Sequence, residues 1–171
     1  NEYFGKNKKS INIDSSQLEE QFLSCTEKNI AYDIDYKGST YEVDDEGLMQ
    51  CYKQILQSVN DKEKYKQMLA LILAHEVFIN AQKKIFEVYE KEYSHEDHDG
   101  LYEIMNLSEV YSAFHEDMLR ELLNISKQED KLKQILQQYD TNADLNEILP
   151  YFKYAMFNFM IYTYTCLLYT S

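Results

Sequence analysis

The sequence predicts an all-α fold: a roughly antiparallel multi-helix bundle with one small β-hairpin, at about residues 33–43, between the first two helices. Three observations lead there. Apolar residues recur at spacings of three and four over most of the chain, which is the period of one helix face. One proline and four glycines in 171 residues leave few of the breaks a many-turned β fold needs. A single short stretch switches to alternation, the period of a strand.

The elements follow in order. Residues 1–13, with Lys6, Lys8 and Lys9, form a polar arm expected to be loosely ordered. Ser16-Gln17-Leu18-Glu19 reads as a capping box, in which the hydroxyl takes an orphan amide and the glutamate reaches back. It opens a helix from about Ser16 to Ile30 on Leu18, Phe22 and Cys25. Asp33–Tyr36 and Ser39–Val43 alternate about Lys37-Gly38 and give the hairpin. Two strands alone are marginal in water, so the hairpin must lie on the helices.

Asp44 or Asp45 begins the second helix, where acids suit the positive end of the dipole. Its apolar face is Leu48, Cys51, Tyr52, Ile55, Leu56 and Val59. A long third helix runs from about Asp61 to Tyr93, with a stripe through Met68, Ile72, His75, Ile79, Gln82 and Phe86. Asp99 and Gly100 cap the fourth, which carries Leu101, Ile104, Tyr111, Phe114, Met118, Leu122 and Ile125. It should pair with the third as an antiparallel hairpin. Ser126-Lys127-Gln128-Glu129 reads as a second capping box and opens a helix on Leu132, Ile135, Leu136 and Tyr139. Thr141 or Asn142 caps a short helix. Pro150 then fits the first turn of a last one, where its missing N–H costs nothing.

That last helix, Pro150 to Thr165, is apolar nearly all round and rich in aromatics. Such a helix is either central to a bundle or enters a membrane. A span needs about 20 apolar residues, a length test that the end of the run cuts off. Its seven aromatics suit a core and the preceding helices are amphipathic, so a central core helix is expected. The final six residues, Cys166-Leu167-Leu168-Tyr169-Thr170-Ser171, match the translation of a transposase mosaic-end sequencing adapter, TGT CTC TTA TAC ACA TCT. The first residue is Asn1. The expectation is a bacterial or phage gene fragment of metagenomic type, with a single helical domain over 14–165, truncated at its C-terminus.

Composition narrows the function classes. The formal net charge is −13, and Arg120 is the single arginine among 17 basic residues. Nucleic acid requires a basic stripe that neutralises phosphates, so it is not an expected partner. Anionic membrane surfaces are disfavoured on the same ground. Sixteen tyrosines and no tryptophan reflect AT-rich codon usage more simply than a sugar or peptide platform. Cys25 and Cys51 lie in expected helices without CxxC spacing, and read as isolated core thiols of a reducing cytoplasm. A bond between them would require export.

No motif completes a catalytic constellation. His75-Glu76, His95-Glu96 and His115-Glu116 are the His-Glu pairs. A zinc hydrolase helix needs a second histidine four residues after the first, and that position is Ile79. A di-iron bundle needs two Glu-x-x-His motifs; Glu92-Tyr93-Ser94-His95 is one. The loop His95–Gly100 resembles half a calcium loop, but its twelfth position is Asn106 instead of glutamate. Asp140–Asn146 lacks both the glycine and the final glutamate. Acids ahead of a helix are more simply caps.

One constellation is subtler. If the third and fourth helices fold back about residues 95–98, His75 lies across from Met118, about one turn from His115. Glu76 and Glu116 flank them, so His75, Glu76, His115 and Glu116 are the candidate metal ligands. The simpler account is two imidazoles that set the register of the hairpin. No cofactor is expected. The sequence points to a non-catalytic helical interaction or regulatory module with a protein partner. The alternatives are a metal-binding or metal-dependent bundle using those four residues, and the extramembrane part of a protein whose membrane segment begins near Pro150.

Overall fold

The computed structural model describes residues 15–35, 38–93 and 107–170. Among them, six helices pack together with one two-stranded antiparallel hairpin between the first two. In chain order these are α1 (Ser15–Asn29), β1 (Ile30–Asp35), β2 (Gly38–Val43), α2 (Asp45–Gln57), α3 (Lys62–Tyr93), α4 (Leu107–Ser126), α5 (Glu129–Tyr139) and α6 (Leu145–Thr170). The polar arm, the side chains of the Ser16–Glu19 cap, the turn at Lys37 and the loop His95–Gly100 lie outside the described residues.

The hairpin begins three residues earlier than its alternation suggests. Ile30 pairs with Val43 and Asp35 with Gly38, so β1 follows α1 without a linker. The junction is closed where the Asp44 amide donates to the Asn29 carbonyl at 2.8 Å. Asp44 also caps α2, its carboxylate accepting from the Gly47 amide at 3.0 Å. A side chain at Gly47 would run into those of Asn29 and Asp44, so the tight corner needs glycine there. Asp61 caps α3 by accepting from the Lys64 amide at 2.9 Å.

α3 is the centre of the molecule. It packs against β2, α2, α4, α5 and α6. Residues Met68 to Ala81 are buried on most sides, with Ala70, Ala74 and Ala81 letting neighbours approach closely. Facing it are Met118, Leu122 and Ile125 of α4, Leu132 and Leu136 of α5, and Phe152 and Met156 of α6. α4 runs antiparallel to α3: Phe86 meets Phe114 edge-on at 5.0 Å, and Lys84 pairs with Glu121 at 3.0 Å. α6 runs parallel to α3, because Tyr151 donates to Glu63 near the start of both helices, and Phe159 lies on His75 further along.

Four sequence expectations are corrected. Ser126 does not cap α5; it stays in the last turn of α4 and its hydroxyl donates to the Leu123 carbonyl. Gln128 takes the N-cap position without a side-chain capping bond, its side-chain amide donating instead to the Asn124 carbonyl, since only two residues separate the helices. The short helix before Pro150 and the helix after it are one element, α6, capped by Asp144 through the Asn146 amide at 2.9 Å. Proline preserves the helical φ there and removes only the bond to the carbonyl of Asn146, an exposed residue that water can serve.

The third correction concerns burial. α6 is not the central helix. Ile148, Phe152, Met156 and Thr163 form its inner face, while Phe157, Ile161 and Tyr164 are 60%, 46% and 52% exposed on the other. No helix among the described residues is long and apolar enough to cross a membrane. Fourth, Cys25 and Cys51 are not isolated thiols. A disulfide joins them, with Cα atoms 5.8 Å apart, and ties α1 to α2 across the hairpin.

Ile79 is 4% exposed on α3, and Ile72 and Met118 are buried beside the same interface. The side chain of Tyr111, expected in that core, lies outside the described residues. Ile79→Asp would bury a charge without a partner and should cost on the order of 4 kcal/mol. Urea denaturation of the variant checks this; a midpoint within error of the parent would show that residue 79 does not face the core.

Candidate functional site

The polar side chains that do converge lie at the α1–α2–α3–α5–α6 junction. α2 presents Tyr52 from the face that also buries Leu48, Ile55 and Leu56, at helical spacing. α3 presents His75 from its central stripe, and α5 presents Tyr139 from the end of its Leu132–Leu136 face. The His75 ring is buried among aromatics. Phe22 of α1 stacks on it at 4.9 Å, Phe159 of α6 meets it edge-on at 5.0 Å, and Tyr52 lies edge-on at 6.1 Å. Tyr52 in turn packs against Phe22 at 5.3 Å and Tyr139 at 6.3 Å.

Burial dominates the electrostatics. It pushes the His75 imidazole down to about 4, so the ring is neutral at pH 7. It raises the Glu76 carboxyl above the ordinary carboxylate range; the nearby Tyr139 hydroxyl opposes the rise, Asp45 adds to it and Lys83 opposes it. The Tyr52 and Tyr139 hydroxyls are both held well above the ordinary phenol value, first by burial and then by the charge of Glu76. Neither hydroxyl closes a hydrogen bond among the described residues, although that of Tyr139 approaches the Glu76 carboxylate. The Tyr139–Glu76 contact is therefore electrostatic and not a formed hydrogen bond.

This arrangement does not make an acid–base pair tuned for neutral pH. A base at about 4 and two phenols that resist ionisation lie on the wrong sides of pH 7 for proton transfer. The cluster is better described as a polar inclusion in the core. A buried hydroxyl without a partner costs about 1–3 kcal/mol.

The candidate metal ligands do not assemble. His115 adjoins Phe114, which lies against Phe86. His75 stands about three helical turns before Phe86, roughly 16 Å along α3. The Lys84–Glu121 and Phe86–Phe114 contacts set the facing register of α3 and α4, and in that register His115 lies near the Phe86 end of α3, away from His75. The expected turn at 95–98 lies outside the described residues. Glu76 is half-buried on the His75 side, whereas Glu116 is exposed and pairs with Arg120 at 3.3 Å. Among the described residues no group of three or more His, Cys, Asp or Glu side chains gathers to hold a metal.

The carboxylates of 140–146 are occupied as caps and turn acceptors. Asp140 accepts from the Asn142 amide and from the Tyr65 hydroxyl, and Asp144 from Asn146. Sequence reasoning placed Phe22, Tyr52, His75 and Tyr139 on apolar faces but did not join them. Their convergence depends on how five elements cross, and no periodicity within one element encodes that. Comparison of the chain with protein-family models, with curated proteins and with solved structures finds no match.

Two predictions follow from the cluster's electrostatics. The unfolded chain takes a proton at His75 below pH 6.5, the folded chain only below about 4. Between those values the unfolded state binds more protons, so stability falls as pH falls. From pH 7 to pH 5 the loss through His75 should be about 2 kcal/mol. Glu76 works the other way, since its raised folded value favours proton uptake on folding just above 4.5. His75→Gln should flatten the profile in this window, as read from urea midpoints at the two pH values. An unchanged slope would place the titrating group elsewhere.

Tyr52→Phe removes a fully buried hydroxyl that has no hydrogen-bond partner among the described residues. It should be neutral or stabilising by about 1 kcal/mol, where most truncations of a core tyrosine destabilise. Thermal unfolding monitored by circular dichroism decides it: a clear drop in Tm would mean the hydroxyl is satisfied.

Proposed function

We propose that this chain is a non-catalytic helical interaction module that receives a protein partner on the outer face of α6. One observation carries the reading. Phe157, Ile161 and Tyr164 recur at helical spacing and stand half or more exposed, on a helix whose other face is fully packed. An apolar stripe of this kind at the surface marks a contact region more often than it marks idle surface. From Ile148 to Thr165 the chain carries no Asp or Glu, although its net charge is −13. The stripe is thus the place where an apolar protein surface meets least charge to desolvate. Lys153 is the one charge on that stretch.

The partner suited to such a stripe is an amphipathic helix laid along it, with anchors at the same spacing. The Cys25–Cys51 bond bears on where this happens. It would persist in an oxidising compartment and open where thiols are kept reduced.

The test places a photoreactive phenylalanine analogue at Phe157 and irradiates the folded protein in extract of its source cells. The expected result is a defined protein adduct, identified by mass spectrometry, that is lost with Ile161→Asp while the helical circular dichroism spectrum is retained. Absence of any adduct, or adducts indifferent to Ile161→Asp, would overturn the reading.

A further inference from the structure

α1 is thinly attached for a helix of its length. Of its side chains whose burial is described, only Phe22 and Cys25 are buried; Gln17, Glu20, Gln21, Leu23, Glu27 and Lys28 are exposed. Its main neighbours are α2 and β1, not the α3–α4–α6 body. Its C-terminal end is held by the Asp44–Asn29 backbone bond at the hairpin's base. Two anchors fix the rest. One is the stack of Phe22 on His75 and Tyr52, and the other is the covalent bond from Cys25 to Cys51.

We propose that α1 is a redox-latched plug: Phe22 fills a socket walled by Tyr52 and His75, with Phe159 backing the His75 ring, and the Cys25–Cys51 bond is the latch that keeps it there. Cys25 is buried at the α1–α2 contact and Cys51 is partly exposed, so the attack is assigned to Cys51. A dithiol reductant attacks there as thiolate. A mixed disulfide forms on Cys51, and Cys25 leaves as thiolate and takes a proton. The reductant's second thiol closes onto the first, releasing Cys51 as thiolate, so the dithiol loses two electrons and the protein gains two thiols.

With the latch open, Phe22 is the one fully buried ring among the described side chains of α1 that still holds it. Its release uncovers an aromatic-walled socket that carries the Tyr52 hydroxyl, which has no hydrogen-bond partner among the described residues in the closed form, and the His75 imidazole. Such walls and such an edge suit a planar ring bearing a hydrogen-bonding group. The inference is independent of the α6 outer face, since Phe159 meets His75 from the inner side of that helix. The titratable groups of the opened site are His75 and Glu76 from α3, Tyr52 from α2 and Tyr139 from α5.

The test is amide hydrogen exchange on the intact chain with and without dithiothreitol, with alkylation and mass measurement to verify the state of both sulfurs. Exchange in residues 20–29 should quicken by about a hundredfold or more on reduction, on the scale of losing a cross-link of this loop length, while α3, α4 and α6 stay protected. In the same samples the His75 ring should titrate nearer its ordinary value once reduced, because burial no longer opposes its charge. The Cys25→Ser/Cys51→Ser double variant should match the reduced protein without any reductant. Unchanged α1 exchange in protein with both thiols alkylated would overturn the proposal. So would α3 and α6 losing protection in step with α1, or Cys25 and Cys51 unlinked in air-oxidised protein.

Discussion

The molecule depends on the near-complete burial of α3. A helix surrounded on most sides must offer apolar or small residues at almost every position, and Met68 to Ala81 do so. Ala70, Ala74 and Ala81 lower its profile so that neighbouring helices come close without voids. Each other element can be described by what it lays against α3: β2 contributes Tyr41, stacked on Phe86 and donating to Gln82, and α5 and α6 contribute leucines and aromatics. The cost falls on the polar residue in the middle of that run. His75 is buried among aromatic rings, so it is held by ring packing and kept neutral.

Much of this architecture was legible in the sequence because it is local. The helix periods, the starts of α2 near Asp44 or Asp45 and of α3 near Asp61, and the strand alternation each depend on neighbours a few residues apart, and each appears in the structure. What stayed hidden depends on distance. The sequence marks Pro150–Thr165 as more apolar than the α3 stretch, yet α3 is central and α6 peripheral. Burial is decided by which helix the others surround, and connectivity decides that. α5 is a short crossing element between α4 and α6, and α6 then starts beside the start of α3 and runs parallel to it.

The candidate site shows the same division. Placing His75 and His115 together required knowing where the α3–α4 hairpin turns, and a shift of a few residues moves facing positions by whole helical turns. Cys25 and Cys51 carried no spacing signal, because their pairing is set by the hairpin that folds α2 back along α1. Tyr52 and Tyr139 looked like ordinary stripe residues. Only their meeting over Glu76, from helices far apart in sequence, distinguishes them.

The bond between α1 and α2 has a topological result as well as an energetic one. It makes the segment from Cys25 to Cys51 a closed covalent ring, with both strands of the hairpin inside it. A protease that cuts one peptide bond in that ring opens a circle without dividing the molecule. Both pieces remain joined through sulfur, and the new chain ends lie beside the hairpin instead of belonging to separate fragments. The stretch between Cys25 and Cys51, which holds the end of α1, the hairpin and the start of α2, is thus one in which a nick leaves the polypeptide in a single covalent body.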